Sequence, residues 1–251
     1  MGQARPYALS IAGFDPTGGA GVLADVKTFE QYRCMGLAAL TATTVQTPAE
    51  MRSLLWFSLE EILAQVSPLF ETCQIEAVKI GIIPDLQTLD ALLTSLHAVN
   101  NSITIIWDPV LQSSSGYRLF ADADGEAVEH VLSQITLLTP NADEVQILGR
   151  RDDPLKAAAQ LSLHTAVLLK GGHLSERSGT DFLFAGGKLT ATFPPGQTGV
   201  WPKHGSGCIL SAAVAAGLAN GDDLFQACRN AKSYTEKRLA GNAGLLAYHH
   251  E

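Results

Sequence analysis

The sequence predicts a three-layer α/β/α fold built on a mostly parallel central sheet with a β-hairpin at one edge. Three observations lead there. Short apolar runs alternate with longer amphipathic stretches, which is the pattern of βα units. The amphipathic stretches carry helix-start signals. No linker, repeat or low-complexity segment divides the 251 residues, so one domain over 1–251 is expected, large enough to bury a sizeable core.

Taken in order, strands are expected at Tyr7–Ala12, Ala38–Val45, Ala77–Ile80, Ile103–Trp107, Ile135–Leu138 and Ala166–Leu169. Asp181–Phe184 and Lys188–Phe193 flank Gly186-Gly187 and read as the edge hairpin, because paired glycines supply the positive φ of a tight turn. Between them, Ser58-x-x-Glu61 is a capping box, Asp85 follows Pro84 as an N-cap, and Asp153-Pro154 joins an N-cap to Pro at the first helical position. Two helices, about Ser206–Ala219 and Asp222–Leu239, close the chain.

Composition narrows the partners. With 46% apolar and 17% charged residues the chain is not a disordered one. A net charge of −8 leaves no electrostatic footprint for nonspecific nucleic-acid binding. Cys34, Cys73, Cys208 and Cys228 lie far apart without metal-ribbon spacing, so neither structural zinc nor a disulfide framework is expected. The apolar run Tyr7–Gly13 meets Asp15 too soon for a signal peptide, and uncharged stretches such as Gly205–Gly221 are broken by Gly, Ser and Asn. A cytoplasmic protein with no membrane partner is the expectation.

In open α/β sheets, ligands sit beyond the carboxyl ends of the strands. Three glycine-rich loops fall there. In the first, Gly13-x-x-x-x-Gly18 is followed by Gly19 where a P-loop needs Lys. Gly19-Ala-Gly21-x-x-Ala24 fits a dinucleotide fingerprint, but the next strand ends in Thr43-Thr-Val-Gln46 with no acid for a ribose. Plain turn glycines account for the loop equally well. It also sets Asp25 on the first helical turns and Gln46 at a strand end, a pair able to accept from and donate to an amino-heterocycle.

The second loop, Lys170-Gly-Gly-His173, reads either as a backbone approach to a ligand with Lys beside anions or as a turn with a solvated Lys. The third, Lys203-His-Gly-Ser-Gly-Cys208, opens a helix, where consecutive free N–H groups make an anion site. The helix dipole there favours a Cys208 thiolate, as base or nucleophile; the alternative is a small apolar residue. His204 is expected to be a solvated loop residue rather than a partner of Cys208. Asp108-Pro109 puts a carboxylate at a strand end, where it can face a metal or a phosphate. Asn141 with Glu144 is explained as an N-cap box; as function, Glu144 holds water on Mg²⁺ and Asn141 faces nucleotide phosphates.

These segments together resemble the ribokinase-like superfamily, and within it the hydroxymethylpyrimidine/phosphomethylpyrimidine kinases of thiamine biosynthesis. The matching runs are Ser10-Ile-Ala-Gly-Phe-Asp-Pro-Thr-Gly-Gly-Ala-Gly21, Ala24-Asp25-x-Lys27-Thr28-Phe29, Thr41-Ala-x-x-x-Gln46 and Lys79-Ile-Gly81. Further on come Trp107-Asp-Pro-Val110 with Ser115-Gly116, Thr139-Pro-Asn141-x-x-Glu144, Lys170-Gly-Gly-His173 and His204-Gly-Ser-Gly-Cys208. They span about residues 8–220 in the family's order. The resemblance implies ATP- and Mg²⁺-dependent phosphorylation of a pyrimidine hydroxymethyl group and then of the monophosphate. It implies Gln46, Asp25 and Gly13 at the substrate, and Gly205, Ser206 and Gly207 as an anion hole over the transferring phosphoryl. Cys208 stands at the base position, Asn141, Lys170 and Asp108 at the nucleotide, and Glu144 at Mg²⁺. It further implies a homodimer, with the hairpin near Asp181–Phe193 as a candidate interface.

Three positions depart from the pattern: Phe14 replaces Ser, Ile82 replaces Met, and Gln112-Ser-Ser-Ser-Gly116 lacks the Lys that relatives often carry before Ser-Gly. The missing charge predicts a weaker second phosphorylation. Competing readings are a pyridoxal kinase, a Cys208-dependent hydrolase or transferase using His204, and a ligand-binding regulator without turnover.

Overall fold

The computed structural model describes residues 4–112, 119–120, 124–173 and 178–250. Among the described residues nine strands form one sheet: β1 Tyr7–Phe14, β2 Met35–Gln46, β3 Met51–Trp56, β4 Ile75–Ile80, β5 Thr104–Trp107, β6 Leu137–Leu138, β7 Ala166–Leu169, β8 Asp181–Ala185 and β9 Lys188–Phe193. Their order is β3-β2-β1-β4-β5-β6-β7-β8-β9. Six neighbours from β2 to β7 run parallel, while β3 at one edge and β8–β9 at the other are antiparallel.

Alternation along the strands divides the core in two. Leu9, Ile11, Val78, Trp107 and Leu138 face α2 Leu59–Thr72, α3 Leu86–Val99, α4 Gly125–Leu132, α5 Ala142–Gly149 and α6 Pro154–Leu161. Ala8, Ile106, Leu137 and Leu168 face α1 Gly21–Gln31, α7 Ser206–Ala219 and α8 Leu224–Ala240. Both faces are covered, which is why the parallel strands read as apolar runs rather than alternating ones. The expected caps form: Ser58 with Glu61, Asp85 accepting from the Thr88 N–H, and Asp153 accepting from the Leu155 and Lys156 N–H groups.

Helix α7 is apolar all round, and every residue from Ile209 to Gly217 is buried. It lies against β1, β4 and β5 with α1 and α8 beside it, and its Ala and Gly residues allow this close approach. A Cβ on Gly217 would meet the Ala227 Cβ at 3.2 Å.

Two expectations needed correction. The Met51–Trp56 edge strand was not anticipated, because it lacks β-branched residues and exposes Leu55, breaking the alternation. The expected strand Ile135–Leu138 narrows to Leu137–Leu138. The Ser113–Gly116 run, with Ser114 at the missing-Lys position, lies outside the described residues.

After β1 the chain passes to β2 on one side, then crosses to β4 on the other. This reversal opens a crevice at the carboxyl end of β1. The β1–β2 register slips between Ala12 and Gly13 at that point, a bulge that re-aims the loop entering α1.

Candidate active site

The floor of the crevice is an ion pair. Asp25 on α1 accepts from Lys79 Nζ of β4 at 2.9 Å and from the Ser10 hydroxyl of β1 at 2.6 Å, both on Oδ2. All three side chains are buried, and Asp25 Oδ1 has no partner at all. Burial works to discharge Lys79, but the charges of Asp25 and Asp108 and the Asp25 hydrogen bond outweigh it and its pKa rises. A Cβ on Gly81 would come within 3.2 Å of Lys79 Nζ, so the glycine leaves the ammonium its space.

A second charged cluster lies at the ends of β5 and β7. Asp108 Oδ1 accepts from Lys170 Nζ at 2.8 Å and Thr139 Oγ1 at 3.3 Å; Oδ2 accepts from Ser211 Oγ of α7 at 3.0 Å. Burial alone would raise the Asp108 pKa, yet the Lys170 and Lys79 charges and these hydrogen bonds lower it. Lys170 also stands 3.6 Å from Glu144 Oε2, so the solvated-Lys reading of this residue does not hold. Glu144 is buried and its carboxyl is pushed up to about 7, by burial first and by Asp108 in addition, against the pull of Lys170. Asn141 and Glu144 complete a reciprocal capping box: the Asn141 side chain accepts from the Glu144 N–H at 2.9 Å and Glu144 Oε2 accepts from the Asn141 N–H at 2.7 Å. The Asn141 carbonyl oxygen is therefore engaged within the chain.

Helix α7 begins between the two clusters. Its N-cap, Gly205, has φ +79° and no side chain to cap the first turn, and that turn carries no acid. A Cβ on Gly205 would sit 2.0 Å from the Gly19 carbonyl oxygen, so only glycine fits. At Gly207 a Cβ would stand 3.2 Å from Lys170 Nζ. The first-turn N–H groups of this helix thus lack a side-chain cap and lie near the Lys170–Asp108 pair; free N–H groups at a helix start can receive an anion.

Cys208 sits in that first turn, where the helix terminus favours a thiolate and burial opposes it. Burial pushes the thiol up to about 11, the nearby Asp25 and Asp108 add to this, and Lys79 and the Gly21 N–H only partly offset it. His204 is likewise not a solvated residue. Its Nε2 meets Asp15 Oδ2 at 2.9 Å and its side chain is 12% exposed. No hydrogen bond joins it to Cys208.

Gln46 ends β2 at the rim, half-buried. No direct hydrogen bond ties it to Asp25. Gly13 packs on Ile82, whose Cδ1 would lie 2.4 Å from an added Cβ. Sequence reasoning assigned no role to Lys79, Ser211 or Asp15. The one visible signal was Lys79 itself, a charge inside the apolar strand Ala77-Val-Lys-Ile80. Among the described residues no group of three or more His, Cys, Asp or Glu gathers as a metal site, and no helix is long and apolar enough to cross a membrane.

The sheet and its covering helices are shared with solved small-molecule kinases. Bacillus subtilis pyridoxal kinase, solved as an ADP complex, is 25% identical and superposes with a TM-score of 0.82, over 96% of this chain and 94% of that one. Phosphomethylpyrimidine kinase from Clostridium difficile 630 is 27% identical with a TM-score of 0.78, over 92% and 98%. The protein is thus a kinase of the ribokinase-like fold.

The family model described as phosphomethylpyrimidine kinase matches residues 15–250, and the chain belongs to that family. Among curated relatives, the hydroxymethylpyrimidine/phosphomethylpyrimidine kinase of Rhizobium meliloti is 36% identical, covering 93% of this chain and 90% of its own. That of Aquifex aeolicus is 32% identical over 95% and 96%.

Proposed function

We propose that this chain catalyses the ATP-dependent phosphorylation of 4-amino-5-hydroxymethyl-2-methylpyrimidine, and then of its monophosphate, in thiamine biosynthesis. The observation that carries this reading is a juxtaposition. The uncapped start of α7 with Lys170 beside it lies across from a buried carboxylate, Asp25, whose Oδ1 has no partner. A buried acceptor left open asks for a ligand donor, and an aminopyrimidine supplies one.

In this reading Gln46, Asp25 and Gly13 bind the pyrimidine. The Gly205, Ser206 and Gly207 backbone stabilises charge on the transferring phosphoryl, and Lys170, Asp108 and Asn141 border the nucleotide. This is positioning plus electrostatics, which is most of what phosphoryl transfer requires. In a loose transition state the acceptor hydroxyl keeps its proton until late. A neutral Cys208 thiol then serves as a small polar neighbour of that hydroxyl rather than as a strong base.

The residues fit the two groups the family implies. The bare backbone at Gly207 lets Lys170 Nζ approach the helix start, where an added Cβ would stand 3.2 Å from it, so ammonium and backbone N–H groups converge on a phosphate. Mg²⁺ retains most of its waters and asks for only one or two carboxylates besides phosphates. Buried Glu144, with Asp108 across Lys170, meets that sparse demand, and Glu144 would hold the ion through water. When bound, Mg²⁺ supplies charge neutralisation of the phosphates.

A second reading, a pyridoxal kinase, is favoured by the fold shared with the Bacillus subtilis enzyme. The test is ADP release with Mg-ATP against the hydroxymethylpyrimidine, its monophosphate and pyridoxal in parallel, with products identified by mass. Turnover of the pyrimidine well above pyridoxal supports the thiamine reading; preference for pyridoxal replaces it. A weak monophosphate lane is the outcome expected from Ser114 in place of Lys. No ADP in any lane would return Cys208 to the role of nucleophile. We further propose a cytoplasmic homodimer. The four unpaired cysteines suit a reducing compartment, and half-exposed Leu189 on the β8–β9 hairpin offers apolar contact. Sedimentation decides the second point.

A further inference from the structure

The loop after β1 and the loop before α7 meet along a seam whose central residues take no part in the proposed reaction. Asp15 lies at its centre. Its Oδ1 accepts from the Thr17 N–H at 2.8 Å; its Oδ2 accepts from the Thr17 hydroxyl and the Ala20 N–H, each at 2.9 Å, and from His204 Nε2 at 2.9 Å. Ala20 is the N-cap of α1, and His204 immediately precedes the N-cap of α7. One carboxylate therefore fixes the approach to two helices.

Two further contacts continue the seam. Gly205 abuts the Gly19 carbonyl, and the Gly21 N–H reaches the Cys208 sulfur. The C-terminal segment covers it: Leu245 accepts from the His204 backbone N–H at 2.9 Å, and a Cβ on Gly19 would meet Leu246 at 2.6 Å. With the Asp15 and His204 side chains 3% and 12% exposed, the pair is shielded from water and salt. Burial opposes the Asp15 charge, yet the hydrogen bonds from His204, Thr17 and Ala20 bring its carboxyl down to about 2.

We infer that the Asp15–His204 pair is a positioning element of phosphoryl transfer, locking the anion-binding start of α7 in register with the loop that enters the substrate-side helix α1. The inference rests on the kinase reading of this site. A merely structural pair would stabilise the fold; a positioning pair also sets the distance between acceptor and phosphoryl, where a misplacement near 1 Å costs on the order of 100-fold in rate.

The test compares His204→Ala with His204→Gln, whose amide nitrogen takes the place of Nε2 and can still donate to Asp15. Should His204→Ala fail to fold, His204→Asn, with an amide too short to reach, replaces it. Steady-state turnover of Mg-ATP with the hydroxymethylpyrimidine is measured together with peptide-resolved iodoacetamide labelling of the four cysteines. His204→Ala is expected to lower kcat on the order of 10- to 100-fold with both KM values little changed. It should also expose Cys208 to faster labelling while buried Cys34 and Cys228 stay protected. His204→Gln should restore kcat and Cys208 protection. Equal losses in both variants, faster labelling of Cys34 and Cys228 as well, or unchanged kcat and Cys208 labelling each overturn the inference. If wild type turns over no ATP with any acceptor, the kinase reading fails, and the labelling pattern alone then judges the seam.

Discussion

Lys79 and Asp25 form a salt bridge of 2.9 Å in which neither side chain reaches solvent. A buried pair is costly to desolvate, and removing one partner strands the other charge. Lys79→Met should therefore destabilise the protein by about 3–5 kcal/mol. The double change Lys79→Met with Asp25→Asn should recover much of that loss, because it leaves no isolated charge. Urea unfolding of the wild type and the two variants measures both. A loss under ~1 kcal/mol for the single variant is the size of a surface pair and would contradict the burial.

Cys208 stands at a helix start, where a thiol pKa is usually lowered; here burial and two carboxylates reverse the sign and hold it near 11. A thiol raised to that value is neutral at physiological pH, and its thiolate fraction grows about tenfold per pH unit up to the pKa. Alkylation of Cys208 should rise along that line between pH 7 and 10 without a plateau. Since an essential general base contributes roughly 100-fold or more, Cys208→Ser should keep kcat within about tenfold of wild type. A plateau near pH 7 in ligand-free enzyme, or a far larger loss, would restore the thiolate base.

The architecture was legible because its causes are local. Apolar runs buried on both sheet faces, capping boxes at Ser58 and Asn141, and the Gly186-Gly187 turn all announce themselves in the sequence. The Met51–Trp56 strand did not, since an antiparallel edge with Leu55 outward carries neither pattern. At the site, residue types and spacing pointed to Asp25, Asp108 and the Gly205–Cys208 run. Which charge meets which was not readable, because those partners arrive from distant strands: Lys79 to Asp25 across 54 positions, Lys170 to Asp108 across 62, and His204 to Asp15 across 189. The protonation of Cys208 depends on that assembled set, which local helix chemistry leaves out.

In the proposed reaction Glu144 links the nucleotide side to pH. Its folded pKa of about 7 exceeds the ordinary 4.5, so the unfolded chain releases this proton first as pH rises. The group's contribution is full below about pH 4.5 and is lost progressively up to about 7, on the order of 3 kcal/mol in all. Glu144→Gln, which preserves the capping acceptor, should flatten that part of the stability–pH curve. It should also raise the Mg²⁺ concentration needed for half-maximal turnover. Parallel curves for the two proteins between pH 4.5 and 7 would show that Glu144 titrates elsewhere.

Gln46 is the residue on which substrate choice turns in the proposed reaction. It sits half-buried at the end of β2, on the opposite side of β1 from Lys79, where its amide has both a donor and an acceptor to offer a heterocycle. Gln46→Ala leaves the ion-pair floor and the start of α7 untouched, so the loss should fall on the pyrimidine alone. The expected cost is on the order of 1–3 kcal/mol in kcat/KM for the hydroxymethylpyrimidine, with KM for ATP nearly unchanged. Because pyridoxal has no amine at the matching position, its turnover should fall less, and the ratio of the two substrates is the informative quantity. Equal losses for both substrates, or none for either, would remove Gln46 as the selector and shift that role to Asp25, the buried acceptor whose Oδ1 is still open.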